Sequence, residues 1–387
     1  MQFSMLKRIT IPTPSREARV HSARLVAWIA EKINQASGAI PFSEYMQHVL
    51  YAHQLGYYTS GNVKFGSSGD FVTASDFPLF GCTLAHWISD TFERLQGSRP
   101  MILEFGAGTG QLAVMLLKTL EAIGKLPALY QILEISPDLK ARQKQLLEKE
   151  IPHLLEKVCW ISKLPQTPFC GVLIANEVLD AFPVQRFHVT EENCSEIYVG
   201  YENNQFKERL RPSEDPELQD LANFIRAGHG VVFPYISERN PFLKAWLQSL
   251  SSILTEGAAL LIDYGFPKET YYHPDRNRGT LMCHYRHHAH TDPYVFVGLQ
   301  DLSAHVDFGA VSEYAVLAGF EIAQYTTQAS FLIQNGILDH VSALGETELQ
   351  KFTLNQSIKL LTLPHEMGEL FKVMVLSKAY DRKINHP

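Results

Sequence analysis

The segment 101–110 constrains the fold more than any other part of the chain. The apolar run Met-Ile-Leu-Glu-Phe leads straight into Gly106-Ala-Gly108-Thr-Gly110, and an amphipathic pattern begins at Gln111. A second strand pattern, 129–134, closes on Glu134. Ser136 and Pro137 then open a helix, one as hydroxyl N-cap and the other at the first helical position. Two more apolar runs repeat the design at 171–180 and 258–265, the latter after a helix at 241–254. Strand and helix alternating in this way predict an α/β fold, a parallel sheet with helices on both faces. Residues 319–325 and 371–376 read as closing antiparallel strands. No internal repeat or low-complexity tract interrupts the pattern.

A sheet domain of this kind needs roughly 200 residues, and the chain has 387. The surplus falls in three places. Residues 1–97 read as an N-terminal helical region, with helices at 18–35 and from Ser43 as cap to about His53. There, residues 56–76 form a long polar loop of the type that covers a ligand. The apolar positions Phe80, Leu84, Ile88 and Phe92 mark a further helix. Residues 183–240 read as an inserted β-ribbon and helix, with strands at 185–189, 196–201 and 205–210 and a turn at Asn203-Asn204. Residues 266–310 form a second insertion rich in His, Arg, Tyr and Asp. The core is then expected at 98–182 and 241–387.

Charge narrows the partners. Lys and Arg number 34 against 41 Asp and Glu, a net −7, which argues against nucleic acid or an anionic membrane as the general partner. No apolar run reaches the roughly 18 residues that span a bilayer, so the chain reads as soluble, without membrane insertion. Five scattered cysteines with no C-x-x-C pair argue against a familiar zinc motif or a disulfide framework. The basic start of the chain has the flavour of a transit peptide, but Leu25, Ile29 and Ile33 follow almost at once, as in an ordinary first helix.

Glu104-Phe-Gly106-Ala-Gly108-Thr-Gly110 lets backbone amides approach a ligand at a helix N-terminus. Glu134, ending the next strand, is placed to take both ribose hydroxyls of a nucleoside. Gly108-x-Gly110-x-x-Ala113 also satisfies the nicotinamide form. Two features favour S-adenosylmethionine. Glu104 can recognise the cofactor's ammonium group and would repel a pyrophosphate. An early sheet with late antiparallel strands suits the seven-stranded order of class I methyltransferases, a Rossmann-like sheet. Asn176-Glu177-Val178-Leu179-Asp180 lies past the fourth strand's carboxyl end, where open α/β sheets bind ligands. Its two carboxylates suit a cationic substrate. The alternative is that Asn176 or Asp180 caps a helix.

The segments PFSEYMQHVLYAHQLGYY, GDFVTASD, LEFGAGTGQL, ANEVLDAFPVQRF, LIDYG, GTLMCHYRHHAHTDP, DLSAHVDF and ALGETELQ…LPHEMGELFKVMVL resemble, in that order, the MidA-like family of class I S-adenosylmethionine-dependent methyltransferases. That family includes the mitochondrial methyltransferase that modifies an arginine of a respiratory complex I subunit. The resemblance covers nearly the whole chain. It implies cofactor contacts at Gly106, Gly108, Gly110 and Glu134, and puts Gly69, Asp70 and Thr73 beside the methionine end; the reading of the residues adds Glu104 and Asn176 to the cofactor set. Relatives often read GDF-x-TSPE where this chain has GDFVTASD, which leaves the roles of Ser75 and Asp76 open.

The implied reaction is N-methylation of a protein arginine, the partner being a complex I-type subunit in the bacterial cytoplasm or, in a eukaryote, the mitochondrial matrix. Glu177 and Asp180 are the candidate guanidinium clamp, Asp307 is a reserve, and His305 or His290 could relay the released proton. Methyl transfer needs no metal, and none is expected at Arg286, His287, His288, His290 and His305, where Asp292, His305 and Asp307 are instead the channel-lining candidates. A dimer is one open option for assembly. Rival readings are a cofactor-binding scaffold protein, a small-molecule O- or N-methyltransferase and a nicotinamide oxidoreductase.

Overall fold

The structure is a computed structural model that describes residues 11–60, 73–96, 99–345 and 347–379. Seven strands form the larger sheet: β1 (Met101–Phe105), β2 (Tyr130–Leu133), β3 (Val158–Ile161), β4 (Phe169–Asn176), β5 (Leu254–Phe266), β6 (Glu321–Thr327) and β7 (Phe371–Lys378). Their order is β6-β7-β5-β4-β1-β2-β3, with a two-residue strand, Val306–Asp307, added beside the end of β5. Strands β1 to β5 pair in parallel, whereas β7 is antiparallel to both β5 and β6. The two closing strands expected at 319–325 and 371–376 are therefore present. Strand β3 carries no alternating pattern and has only four residues; the sequence reading counts 171–180 as the fourth strand but gives the third no range.

Side chains alternate between the two faces of this sheet. Ile102, Ile174 and Leu260 face a core built with α1 (Pro78–Arg94) and α2 (Gln111–Ala122). Leu103, Leu173 and Leu261 face the opposite core, with α4 (Leu243–Ile253) and α5 (Phe308–Leu317). Burial on both faces is why β4 reads as a continuous apolar run, Val172 to Ala175, rather than as an alternation. Helix α3 (Pro137–Glu150) starts as expected, with Ser136 Oγ accepting the Leu139 amide. The order of strands reverses between β1 and β4, so the carboxyl ends of these two strands flank the crevice where such sheets bind ligands.

The chain divides into two units. The sheet unit takes residues 73–182, 240–273 and 305–387, and the second takes 1–72, 183–239 and 274–304. This grouping differs from the expected division. Helix α1 packs in the sheet core rather than with the N-terminal region, and residues 274–304 of the His-rich insertion join the β-ribbon. The second unit holds helices Arg16–Gln35 and Phe42–Tyr51, a five-stranded antiparallel sheet and a three-stranded sheet. Ser43 does not cap the second helix: it lies inside it, and the cap position is Pro41, without a side-chain bond. Asn203 and Asn204 do make the ribbon turn, both at positive φ (50° and 61°), as a type I′ hairpin requires. No helix among the described residues is long and apolar enough to cross a membrane.

Candidate active site

Gly106, Gly108 and Gly110 follow β1 with φ of 59°, 52° and 88°, the left-handed region that glycine enters without a Cβ penalty. A Cβ built on Gly108 would meet nothing within 4 Å, so the space over this turn is open to a ligand. Gly110 stands at the N-cap of α2, and the helix N-terminus faces the same turn.

A network that the sequence did not reveal fixes the loop. Gln143 Nε2 on α3 donates to the Gly108 carbonyl (3.0 Å) and to Glu134 Oε2 (2.9 Å), while Trp160 Nε1 on β3 donates to Gln143 Oε1 (3.0 Å). Glu134 Oε1 accepts the Ser136 amide at 2.8 Å. Both oxygens of Glu134 are thus engaged and oriented, yet a carboxylate has about four acceptor sites, so ribose hydroxyls can still be taken.

Glu104 is buried, and Tyr130 Oη donates to its Oε2 at 2.7 Å. Burial pushes its carboxyl up to about 7, opposed by the Tyr130 bond and assisted by the Glu134 charge. A buried acid without a cationic partner among the described residues fits the ammonium end of S-adenosylmethionine. Asn176 Oδ1, buried with no hydrogen-bond partner among the described residues, fits a ligand N–H or O–H equally well.

The acidic turn follows directly after β4. Glu177 sits at φ 54° with its amide still bonded to the Ile262 carbonyl (2.8 Å). A non-glycine residue costs about 1–2 kcal/mol in that region. Asp263 on β5 secures the turn. Its Oδ2 accepts the amides of Val178 (3.2 Å), Leu179 (2.9 Å) and Asp180 (3.2 Å), and its Oδ1 accepts that of Tyr264 (2.9 Å). No helix starts here, so neither Asn176 nor Asp180 is a helix cap.

Three carboxyl groups therefore meet with little solvent. Burial, then the Asp180 charge, raises Glu177 to about 8, while Asn176 and the Ala74 amide hold it down and Asp76 raises it further. Burial lifts Asp180 to about 6 against the hydrogen bond donated by Tyr264 Oη to its Oδ2. Asp263 is pushed well up by burial, then by Asp180 and Glu177, against the amides it accepts. Among the described residues no Lys, Arg or His pairs with Glu177 or Asp180.

The remaining expected residues divide. Thr73 and Asp76 form a reciprocal capping box around the short turn Ala74–Asp76, which gives Asp76 a role and brings the Ala74 amide to Glu177. The His305 ring stands edge-on to Tyr264, with centroids 5.4 Å apart. Asp307 caps α5, its Oδ1 accepting the Ala310 amide at 3.1 Å, and burial lifts it to about 6. Gly69 and Asp70 lie outside the described residues. His288 and His290 belong to the second unit and bond within their own hairpin, to the Arg286 carbonyl and the Asp292 amide.

Residues 83–326 match the model of a family of S-adenosyl-L-methionine-dependent methyltransferases. A Burkholderia thailandensis protein crystallised with S-adenosyl-homocysteine bound is 40% identical, with 96% of each chain covered and a TM-score of 0.90. A Drosophila melanogaster relative named as the mitochondrial protein arginine methyltransferase NDUFAF7 homolog is 26% identical over 94% of this chain and 87% of its own. The Homo sapiens protein arginine methyltransferase NDUFAF7, mitochondrial, is 27% identical, with 88% and 81% covered. The cofactor expectation is met and the nicotinamide alternative falls. The chain belongs to this family and is an S-adenosyl-L-methionine-dependent methyltransferase.

Proposed function

We propose that this methyltransferase acts on an arginine guanidinium presented by a protein, of the complex I-subunit type that the MidA-like resemblance implies. The observation that carries the reading is the acid pair Glu177 and Asp180, largely buried and without a cationic partner among the described residues. Burying such charge is costly unless a cation or a proton compensates. In the free protein a proton on Glu177 compensates, since its carboxyl titrates near 8. A guanidinium, charged at any physiological pH and able to donate five N–H bonds in a planar fork, would displace that proton. The names of the two mitochondrial relatives are consistent with this.

In this reading Gly106, Gly108, Gly110, Glu134, Glu104 and Asn176 hold the cofactor, with Thr73 beside them. The bound cofactor supplies an electrophilic methyl group on sulfur. Everything else is the work of side chains. Glu177 and Asp180 draw the guanidinium charge to two of its nitrogens and leave the third more nucleophilic. Tyr264 fixes Asp180 and aligns His305, the candidate relay for the proton that leaves the methylated nitrogen. Asp307, bound to its helix, is a secondary candidate.

The test is methyl transfer to one peptide in three forms, carrying arginine, lysine or citrulline at the acceptor position. The reading predicts turnover with arginine alone. Equal turnover with lysine would overturn it, because a lone ammonium cannot engage both carboxylates in a fork.

A further inference from the structure

On α1, Cys82 and His86 are four residues apart and therefore share one helix face. The short helix His340–Leu344 brings His340 to the same place. The ligand-capable atoms of Cys82, His86 and His340 lie within 4.8 Å of one another, and the two imidazoles stack with centroids 4.5 Å apart and planes 16° from parallel. None of the three belongs to the proposed active site. We propose that Cys82, His86 and His340 form a binding site for a borderline-soft divalent cation, zinc first, that ties the His340 helix to α1.

Three observations beyond the cluster point to a cation. Nε2 of His340 is buried without a hydrogen-bond partner among the described residues, and such an atom calls for an ion or a water. The Asn335 backbone hydrogen-bonds the same ring; a carbonyl on the far nitrogen is how proteins orient a metal-binding imidazole. The Thr119 side chain hydrogen-bonds the Cys82 thiol, as outer groups do around a ligating sulfur. The donor set, one thiolate and two imidazoles, suits zinc at about 2.3 Å for sulfur and about 2.0 Å for nitrogen, with water at the fourth position. Those lengths bring the ligand atoms to about 3.5 Å from one another, so the side chains must close by about an ångström. Binding turns the partly buried His86 ring out of the stack, so that its lone pair aims at the shared point. On binding, the Cys82 S–H bond breaks, its proton leaves to solvent and the sulfur lone pair binds the metal.

The experiment titrates the full chain, reduced and stripped by chelator, with Co²⁺ alone, and reads the thiolate-to-cobalt charge-transfer band. The site predicts saturation at one equivalent and loss of the band when Zn²⁺ is added. Cys82→Ser should abolish the band, Cys170→Ser should keep it, and His86→Gln or His340→Gln should weaken Co²⁺ binding by about 10–100-fold. Binding of S-adenosylmethionine, unchanged in each variant, shows that it is folded. His86→Gln, at a half-buried position, decides the matter if Cys82→Ser does not fold. A wild-type chain with no band, or a band that survives Cys82→Ser or is untouched by His86→Gln, overturns the proposal.

Discussion

Asp263 Oδ2 accepts the backbone N–H of Asp180 at 3.2 Å, so one buried acid positions another. The same oxygen takes the amides of Val178 and Leu179, and the other oxygen takes that of Tyr264. The acidic turn after β4 is therefore held by β5, through a residue whose own side chain is consumed in the task.

Asp263→Asn is the first prediction. The amide keeps one acceptor oxygen, so its NH₂ must face either the Tyr264 amide or the three amides of the turn, donor against donor. A destabilisation of about 2–4 kcal/mol is expected, read by urea unfolding, together with loss of methyl transfer. A variant as stable as the parent would show that the turn holds itself.

Tyr264→Phe removes the donor that holds Asp180 down. Asp180 then rises above its value of about 6, and the corresponding limb in the pH profile of kcat/KM should move to higher pH by about one unit. Affinity for S-adenosylmethionine should not change. A profile that stays in place would separate Asp180 from catalysis.

The raised Glu177 carboxyl also makes a stability prediction. Its folded value, about 8, lies above the ordinary 4.5, so the folded chain binds more protons than the unfolded one between those limits. The favourable contribution is complete below about 4.5 and is lost as the pH rises through about 8. Glu177→Gln has no such proton to lose. Its melting temperature should match the parent's below about pH 4.5 and exceed it by several degrees above pH 8. Equal melting temperatures at both would place Glu177 in solvent.

Gly108→Ala separates fold from cofactor. At φ 52° with open space around the added Cβ, alanine costs the fold about 1–2 kcal/mol. In the proposed site the added methyl group would enter the space assigned to the cofactor. Calorimetry should show S-adenosylmethionine binding weakened at least tenfold, about 1.4 kcal/mol. Undiminished binding would move the cofactor away from this turn.

The sheet was legible because its parts are local. Met101–Phe105, the glycine turn and the Ser136–Pro137 helix start each carry their signal within ten residues. The meeting of Glu177 and Asp180 was legible for the same reason, the two being near neighbours at a strand end. What escaped detection is long-range. Asp263 stands in the LIDYG segment, but neither it nor Gln143 nor Trp160 shows its role locally; each gains it only when the fold brings it to the turn after β4 or to the glycine loop. The Cys82–His86–His340 cluster escaped for the same reason. Ser43 misled because a hydroxyl near a helix start resembles a cap in one dimension, while Phe42 already belongs to the helix.

In the proposed mechanism the acids after β4 direct methyl transfer to a protein arginine. The most direct measurement is mass spectrometry of methyl-arginine across the proteome of a strain lacking this chain, complemented by the parent or by Glu177→Gln. Deletion should remove the methyl mark from a defined arginine, the parent should restore it, and Glu177→Gln at equal abundance and equal S-adenosylmethionine affinity should not. Full restoration by Glu177→Gln, or no methyl-arginine lost on deletion, would contradict it.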